Sequence, residues 1–244
     1  MKLLESISKL GEEGAFAAAA DLSIQLQINW DDEVKYLFRV VAADLNRVPG
    51  NIGGKNDDEI TTIKKWLEKY KKGYEGRASQ RLSNPLGTVA DPVIEKIIGA
   101  RLSHLTDEEL KKISFAHRLG MSAENILGLL LEEYLSVNLR PGGWHCAWGE
   151  TVKSVDFVNE DGSLLQIKNR SNSENSSSSA IRNGTEIEKW YRIKADRIEY
   201  MWETLNQICN TTTLSEGAFV DFATSCIRNN PGCIVVEIGN PWRL

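Results

Sequence analysis

The sequence predicts an α/β chain in which a helical amino-terminal region precedes a small sheet core. Three observations carry that expectation. Apolar residues recur at helical spacing through much of residues 2–139. A strand–turn–strand pattern follows at 154–168. The chain then reads as helix and strand, so the order helix, two strands, helix, strand describes a layered α/β core.

Taken in order, residues 2–29 mix Leu, Ile and Ala with charges at helical spacing. Residues 31–45 form an amphipathic helix with Val34, Leu37, Phe38, Val41 and Leu45 on one face. A Pro- and Gly-containing loop at 48–54 leads to a helix at 57–70, which Lys71-Lys72-Gly73 ends. After an irregular stretch at 78–90, Asp91-Pro92 opens a helix with proline in its first turn. Thr106 and Glu109 form a capping box that starts another, and a long helix at 123–139 stops at Pro141-Gly142-Gly143. Ser154–Val158 and Leu164–Lys168 alternate as strands around Asn159-Glu160-Asp161-Gly162, where Asp-Gly is a strong hairpin signal. Beyond a polar loop, 186–206 reads as a helix and 233–238 as a late strand. A boundary near Gly120 divides a helical region (1–119), packed on the core, from a core region (120–244) with a loop at 169–185.

Composition narrows the class. Of 244 residues, 41% are hydrophobic and 26% charged, which suits a folded soluble chain. No run is long enough to span a membrane, and the amino terminus lacks the apolar stretch of a signal peptide, so a cytoplasmic location with no membrane partner is expected. Cys146, Cys209, Cys226 and Cys233 form no C-x-x-C pair, which argues against zinc and a disulfide framework. His104, His117 and His145 lack metal spacing; His145, beside Trp144 and Trp148, is a candidate to line a site. The net charge of −5 disfavours a non-specific nucleic-acid coat.

The hairpin carries the chemistry. Gln166 and Lys168 are two apart on one strand and share a face, while Ile167 points to the core. That face can meet Asp156 on the neighbouring strand. A carboxylate, an amide oxygen from Gln166 and the Ile167 carbonyl are hard oxygen donors suited to Mg²⁺. A lysine beside them can hold an attacking water or stabilise a phosphorane. These are the residues that phosphodiester hydrolysis needs, with Asp156, Gln166 and Lys168 catalytic. A strand-ending aspartate and a solvated lysine are the bland alternative.

The segment after Lys168 is almost wholly polar. From Lys168 to Arg197, seven Lys and Arg stand against four Asp and Glu, a local balance of +3 in an acidic chain. Segregated charge of this kind suits a DNA face. Arg170, Asn172, Asn175, Ser176, Arg182 and Asn183 are candidate base or phosphate contacts. Lys189 and Arg192 are candidate phosphate clamps on the following helix. Trp190 and Tyr191 either stack on DNA or belong to the core.

Together, Val152–Phe157, Leu165–Arg170, 172–185 and Lys189-Trp190-Tyr191-Arg192 resemble the SinI family of type II restriction endonucleases, across roughly residues 120–200. The resemblance implies a PD-(D/E)xK nuclease core and Mg²⁺-dependent cleavage of double-stranded DNA. It also implies a short, near-palindromic target of the GGWCC type, a homodimer, and a cognate cytosine DNA methyltransferase as functional partner. The alternatives are a structure-specific repair or recombination nuclease and an inactive DNA-binding protein on the same core. This chain has Gln166 where that superfamily usually carries an acid, so another carboxylate is expected to complete the site. Glu133 is the candidate, because it falls in register with Ile126, Leu129, Leu130 and Val137 on one helical face. An ion pair with an arginine is its alternative. Glu132 is expected to point outward, and Glu150 is a weaker rival.

Overall fold

The computed structural model describes residues 1–84, 91–171 and 186–243. The first helix, α1 (Leu3–Gln25), bends at Gly11, whose φ of +71° breaks the helical run. Its Leu3, Ile7, Ala15, Ala19 and Leu22 are buried, and the helix packs on α3 (Glu59–Glu75) and on the helix that follows it in the chain. A π-helical turn at Trp30–Val34 leads into α2 (Lys35–Ala43). Val34, Leu37, Phe38 and Val41 are buried as expected, whereas Leu45 lies beyond the helix and is 39% exposed. Asp58 caps α3 by accepting from the Thr61 N–H at 2.7 Å. Ile63, Trp66, Leu67 and Tyr70 then repeat at three- and four-residue steps on its buried face.

Helix α3 does not stop at Tyr70. It runs through Lys71, Lys72 and Gly73 to Glu75, because Gly73 sits where the helix meets another backbone. A Cβ there would lie 2.2 Å from the Gly149 nitrogen, and one on Gly149 would lie 2.4 Å from the Lys69 carbonyl oxygen. By propensity alone Gly73→Ala would strengthen the helix. In place, it is expected to destabilise the protein by about 2–3 kcal/mol through overpacking, as read from the urea midpoint. An unchanged midpoint would mean that the two backbones do not meet.

Asp91 and Pro92 open α4 (Pro92–Arg101), the Asp91 carboxylate accepting from the Val93 N–H at 2.9 Å. Thr106 and Glu109 form the capping box of α5. This is one continuous helix, Asp107–Leu139, rather than two.

Four strands follow, β1 (Trp144–Cys146), β2 (Phe157–Asn159), β3 (Leu164–Arg170) and β4 (Ile187–Ile193), hydrogen-bonded in that order. The first three are antiparallel and β4 is parallel to β3. The expected β2–β3 turn is present, with Gly162 at φ +91°. The expected helix at 186–206 is instead β4, a bend, and the short helix α6 (Trp202–Ile208). Ile187, Trp190 and Ile193 are all buried, and their three-residue spacing imitates a helical stripe. In the sheet, Ile187 pairs with Leu164 and Trp190 with Ile167, so the two point to opposite faces and both faces bury an apolar residue.

Helix α7 (Glu216–Asn229) ends near a 3₁₀ turn at Pro231–Cys233. No strand forms at 233–238. That segment is tied by side chains instead: Ser122 Oγ accepts from the Val235 N–H at 3.0 Å, Ser83 Oγ donates to the Cys233 carbonyl at 2.6 Å, and Glu237 pairs with Arg118.

Phe157, Leu165, Ile167 and Trp190 share one sheet face by register. That face meets an aromatic group in which Trp190 lies 5.1 Å from Trp202 and Tyr134 lies 5.8 Å from Trp202. Gln166, Lys168, Lys189 and Tyr191 occupy the opposite face. The buried apolar residues of α1–α3 and, Ile193 apart, those of the sheet belong to one hydrophobic core.

Candidate active site

Asp156 immediately precedes β2 and is held from both sides. Its carbonyl accepts from the Ala147 N–H at 2.8 Å, and its N–H donates to the Leu165 carbonyl at 2.9 Å. The Ile167 N–H donates to Asp156 Oδ2 at 2.8 Å. Extending the β2–β3 register by one residue sets Asp156 opposite Gln166, and Gln166 is itself paired with Lys189. Lys168 lies one row further along the same face, half-buried.

The loop entering Asp156 is strained. Glu150 and Ser154 adopt φ of +57° and +65°, and Gly149 adopts +73°. Each non-glycine residue held there costs about 1 kcal/mol or more. Contacts with the amino-terminal helices hold the loop: Trp66 Nε1 donates to the Thr151 carbonyl at 2.8 Å, and the Lys153 N–H donates to the Arg47 carbonyl at 2.8 Å.

A cleft opens beside this loop in two lobes of about 510 and 400 Å³, and Lys69, Glu150 and Asp156 line both. The larger lobe adds Glu132, Lys72, Cys146 and Trp148; the smaller adds Gln166 and Lys153. Burial, and then the negative charges of Asp156 and Glu150, push the Glu132 carboxyl up to about 7. Burial also raises the Cys146 thiol well above its ordinary range, which makes it a poor nucleophile.

Glu133, expected to complete the site, does not line either lobe of the cleft. Glu133 Oε2 accepts from the Ser79 N–H at 2.9 Å, the Ser79 hydroxyl donates to its other oxygen, and Arg77 pairs with it at 3.3 Å. Glu132, expected to be solvated, faces the cleft instead. The phase is unreadable because α5 is buried on several sides here. Leu130, Leu131, Glu133, Tyr134 and Leu135 are all buried, whereas Val137, expected in the core, is 61% exposed.

The DNA-contact candidates divide. Arg170 is exposed at the end of β3, and Lys189 is exposed on β4 beside Gln166. Arg192 lies on a strand rather than a helix, with its guanidinium engaged inside the protein. It donates to Asn169 Oδ1 at 2.9 Å, pairs with Glu216, and lies 5.3 Å from the Phe219 ring. Trp190 is a core residue whose indole donates to the Met201 carbonyl at 2.7 Å. His145 lies away from the cleft, stacked on Tyr36 at 4.6 Å and bonded to Glu160 at 3.0 Å. Asn172, Asn175, Ser176, Arg182 and Asn183 fall outside the described residues. Lys69 and Lys72 are cleft residues that the sequence alone does not single out, although Lys65, Lys69 and Lys72 recur at one helical face's spacing.

Among the described residues, no group of three or more His, Cys, Asp and Glu side chains is arranged to hold a metal ion. A cation here would draw on amide or carbonyl oxygens as well as carboxylates. No helix among the described residues is long and apolar enough to cross a membrane.

A family model described as SinI restriction endonuclease matches residues 35–228, a span that begins in α2 and holds every cleft residue named above. The chain belongs to the SinI restriction endonuclease family. It is 32% identical over 218 residues to the type II restriction enzyme SinI of Salmonella infantis, across 86% of this chain and 94% of that enzyme. It is also 41% identical over 147 residues to the type II restriction enzyme Eco47I of Escherichia coli, across 58% of this chain and 64% of that enzyme. The SinI family match thus takes in α2 and α3 together with the hairpin, and so both walls of the cleft.

Proposed function

We propose that this SinI-family chain hydrolyses double-stranded DNA at a short, near-palindromic site of the GGWCC type, with Mg²⁺, on a PD-(D/E)xK core. The observation that carries the reading is that Asp156 lines both lobes of the cleft, with Glu132 in the larger and Gln166 in the smaller, and that Lys168 shares the sheet face of Gln166. The donor chemistry fits a hard cation. Oxygen is offered by Asp156, Gln166, the Ile167 carbonyl and Glu132, and the mutual repulsion of the carboxylates favours a positive charge between them.

Bound there, Mg²⁺ would supply Lewis acidity to the scissile phosphate and lower the pKa of water. The chain's own residues do the rest. The Ile167 N–H fixes the Asp156 carboxylate, and Gln166 orients an amide oxygen from the adjoining strand. Lys168 positions the attacking water and stabilises the charge that gathers on the phosphoryl oxygens. Arg170 and Lys189, exposed near this face, take DNA phosphates. A homodimer would present two such clefts to the two strands of the target. The helices before α5 support the segment that carries Asp156, the expected boundary near Gly120 falling inside the continuous α5, and a cognate cytosine methyltransferase protects the host's own sites in the cytoplasm.

The test is digestion of unmethylated phage DNA with Mg²⁺ and with EDTA. Discrete fragments with Mg²⁺ alone are expected, and sequencing their ends gives the site. Cleavage that persists in EDTA would overturn the metal requirement. Tight binding to a defined duplex without cleavage would favour the inactive DNA-binding reading.

A further inference from the structure

The hairpin motif accounts for one wall of the cleft and leaves the other unexplained. That wall is α3. Lys69 and Lys72, three residues apart and therefore neighbours on the helix surface, line the larger lobe, and Lys69 also lines the smaller one. Lys69 thus stands on the ridge between the lobes, where Asp156 also stands. Its backbone has little freedom, because its carbonyl lies in the close α3–Gly149 contact. Its ammonium donates to Asn51 Oδ1 at 3.2 Å and to the Glu150 carbonyl at 3.4 Å, and it lies 3.9 Å from Glu150 Oε2.

An ion pair of that length with a carboxylate 90% exposed is weak. A phosphate oxygen is a stronger partner for an ammonium. Glu132, Glu150 and Asp156 also line the cleft, and negative charge there repels a phosphodiester that enters next to it. Cations on α3 offset that repulsion where a strand would pass.

We propose that Lys69 is a positioning residue that exchanges its Glu150 contacts for a DNA backbone phosphate adjoining the scissile one. The amino-terminal helices would then take part in substrate binding as well as in holding the loop. The proposal rests on the nuclease reading above.

The experiment measures binding of a duplex carrying the cleavage site, by fluorescence anisotropy in EDTA across a salt series, together with steady-state cleavage in Mg²⁺. The proteins are the wild type, Lys69→Gln, Lys69→Arg and Lys64→Ala, the last an exposed α3 lysine paired with Glu68. Lys69→Gln is expected to weaken binding by roughly tenfold, the worth of one charged hydrogen bond. It should also flatten the log–log salt slope by about 0.9 and raise KM more than it lowers kcat. Lys69→Arg should recover the slope, and Lys64→Ala should match the wild type. A thermal melt confirms folding of each protein; should Lys69→Gln melt early, Lys69→Met, which keeps the apolar stem, takes its place. A neutral variant with wild-type slope and KM would overturn the role of Lys69 while leaving the nuclease reading intact. A wild type that neither binds nor cleaves DNA would overturn both.

Discussion

Asp156→Asn is expected to lower the cleavage rate by roughly 10³-fold or more, a barrier change of about 4 kcal/mol, with little loss of stability. The substitution keeps an oxygen that can accept from the Ile167 N–H, now 2.8 Å from Oδ2, and removes only the charge. Asp156→Ala adds the loss of that hydrogen bond, about 1 kcal/mol of stability. Lys168→Ala should match the rate loss and leave DNA affinity within a few-fold, because its contribution grows with charge in the transition state. Single-turnover cleavage under saturating Mg²⁺ separates these cases. Full activity in Asp156→Asn would remove the carboxylate from the metal site and with it the mechanism above.

Glu132→Gln should produce a trade: less cleavage and a more stable protein. The Glu132 carboxyl is raised to about 7 by burial and by Asp156 and Glu150, against about 4.3 for an unperturbed glutamate. The folded protein therefore holds this proton more tightly than the unfolded chain does. Between those two values the native state binds more protons, so stability falls as pH rises, and the full cost is present above pH 7. Without Mg²⁺, the Gln variant should be more stable than the wild type by about 2–3 kcal/mol at pH 8, a gain that vanishes near pH 4. Thermal melts at the two pH values, with and without Mg²⁺, measure this. Adding Mg²⁺ should stabilise the wild type and leave the variant nearly unmoved, while cleavage by the variant falls by roughly 10²-fold. Equal stability of the two proteins at pH 8 would show that Glu132 is not held against its neighbours.

The parts of the site that could be read in the sequence are those specified by neighbours along the chain. Strand alternation placed Gln166 and Lys168 on one face and Ile167 in the core, and Asp161-Gly162 fixed the hairpin that brings Asp156 alongside. Asp91, Thr106 and Glu109 announced their helix starts by capping chemistry. What failed depended on partners distant in sequence. The inward turn of Glu132 follows from a helix buried on several sides, where no polar stripe marks the phase. β4 reads as a helix because each of its faces buries an apolar residue, at a three-residue spacing that breaks the two-residue period. The 233–238 run pairs with no strand among the described residues, and Ser122, Ser83 and Arg118 hold it instead. Lys69 lies in a cleft whose carboxylates come from α5 and from the segment before β2, so its place there depends on the fold.

The seam between α3 and the loop before Asp156 also has a bearing on timing. Trp66 with Thr151, Lys69 with Glu150, and Gly73 against Gly149 each join segments far apart along the chain. Contacts of such long sequence separation form late, after shorter-range structure has closed. During synthesis the amino-terminal helices emerge first, and the loop that they clamp has no seat until the residues through β3 have followed. A ribosome-bound fragment would thus carry no competent cutting edge, and the chain would become able to damage DNA only once both halves had met.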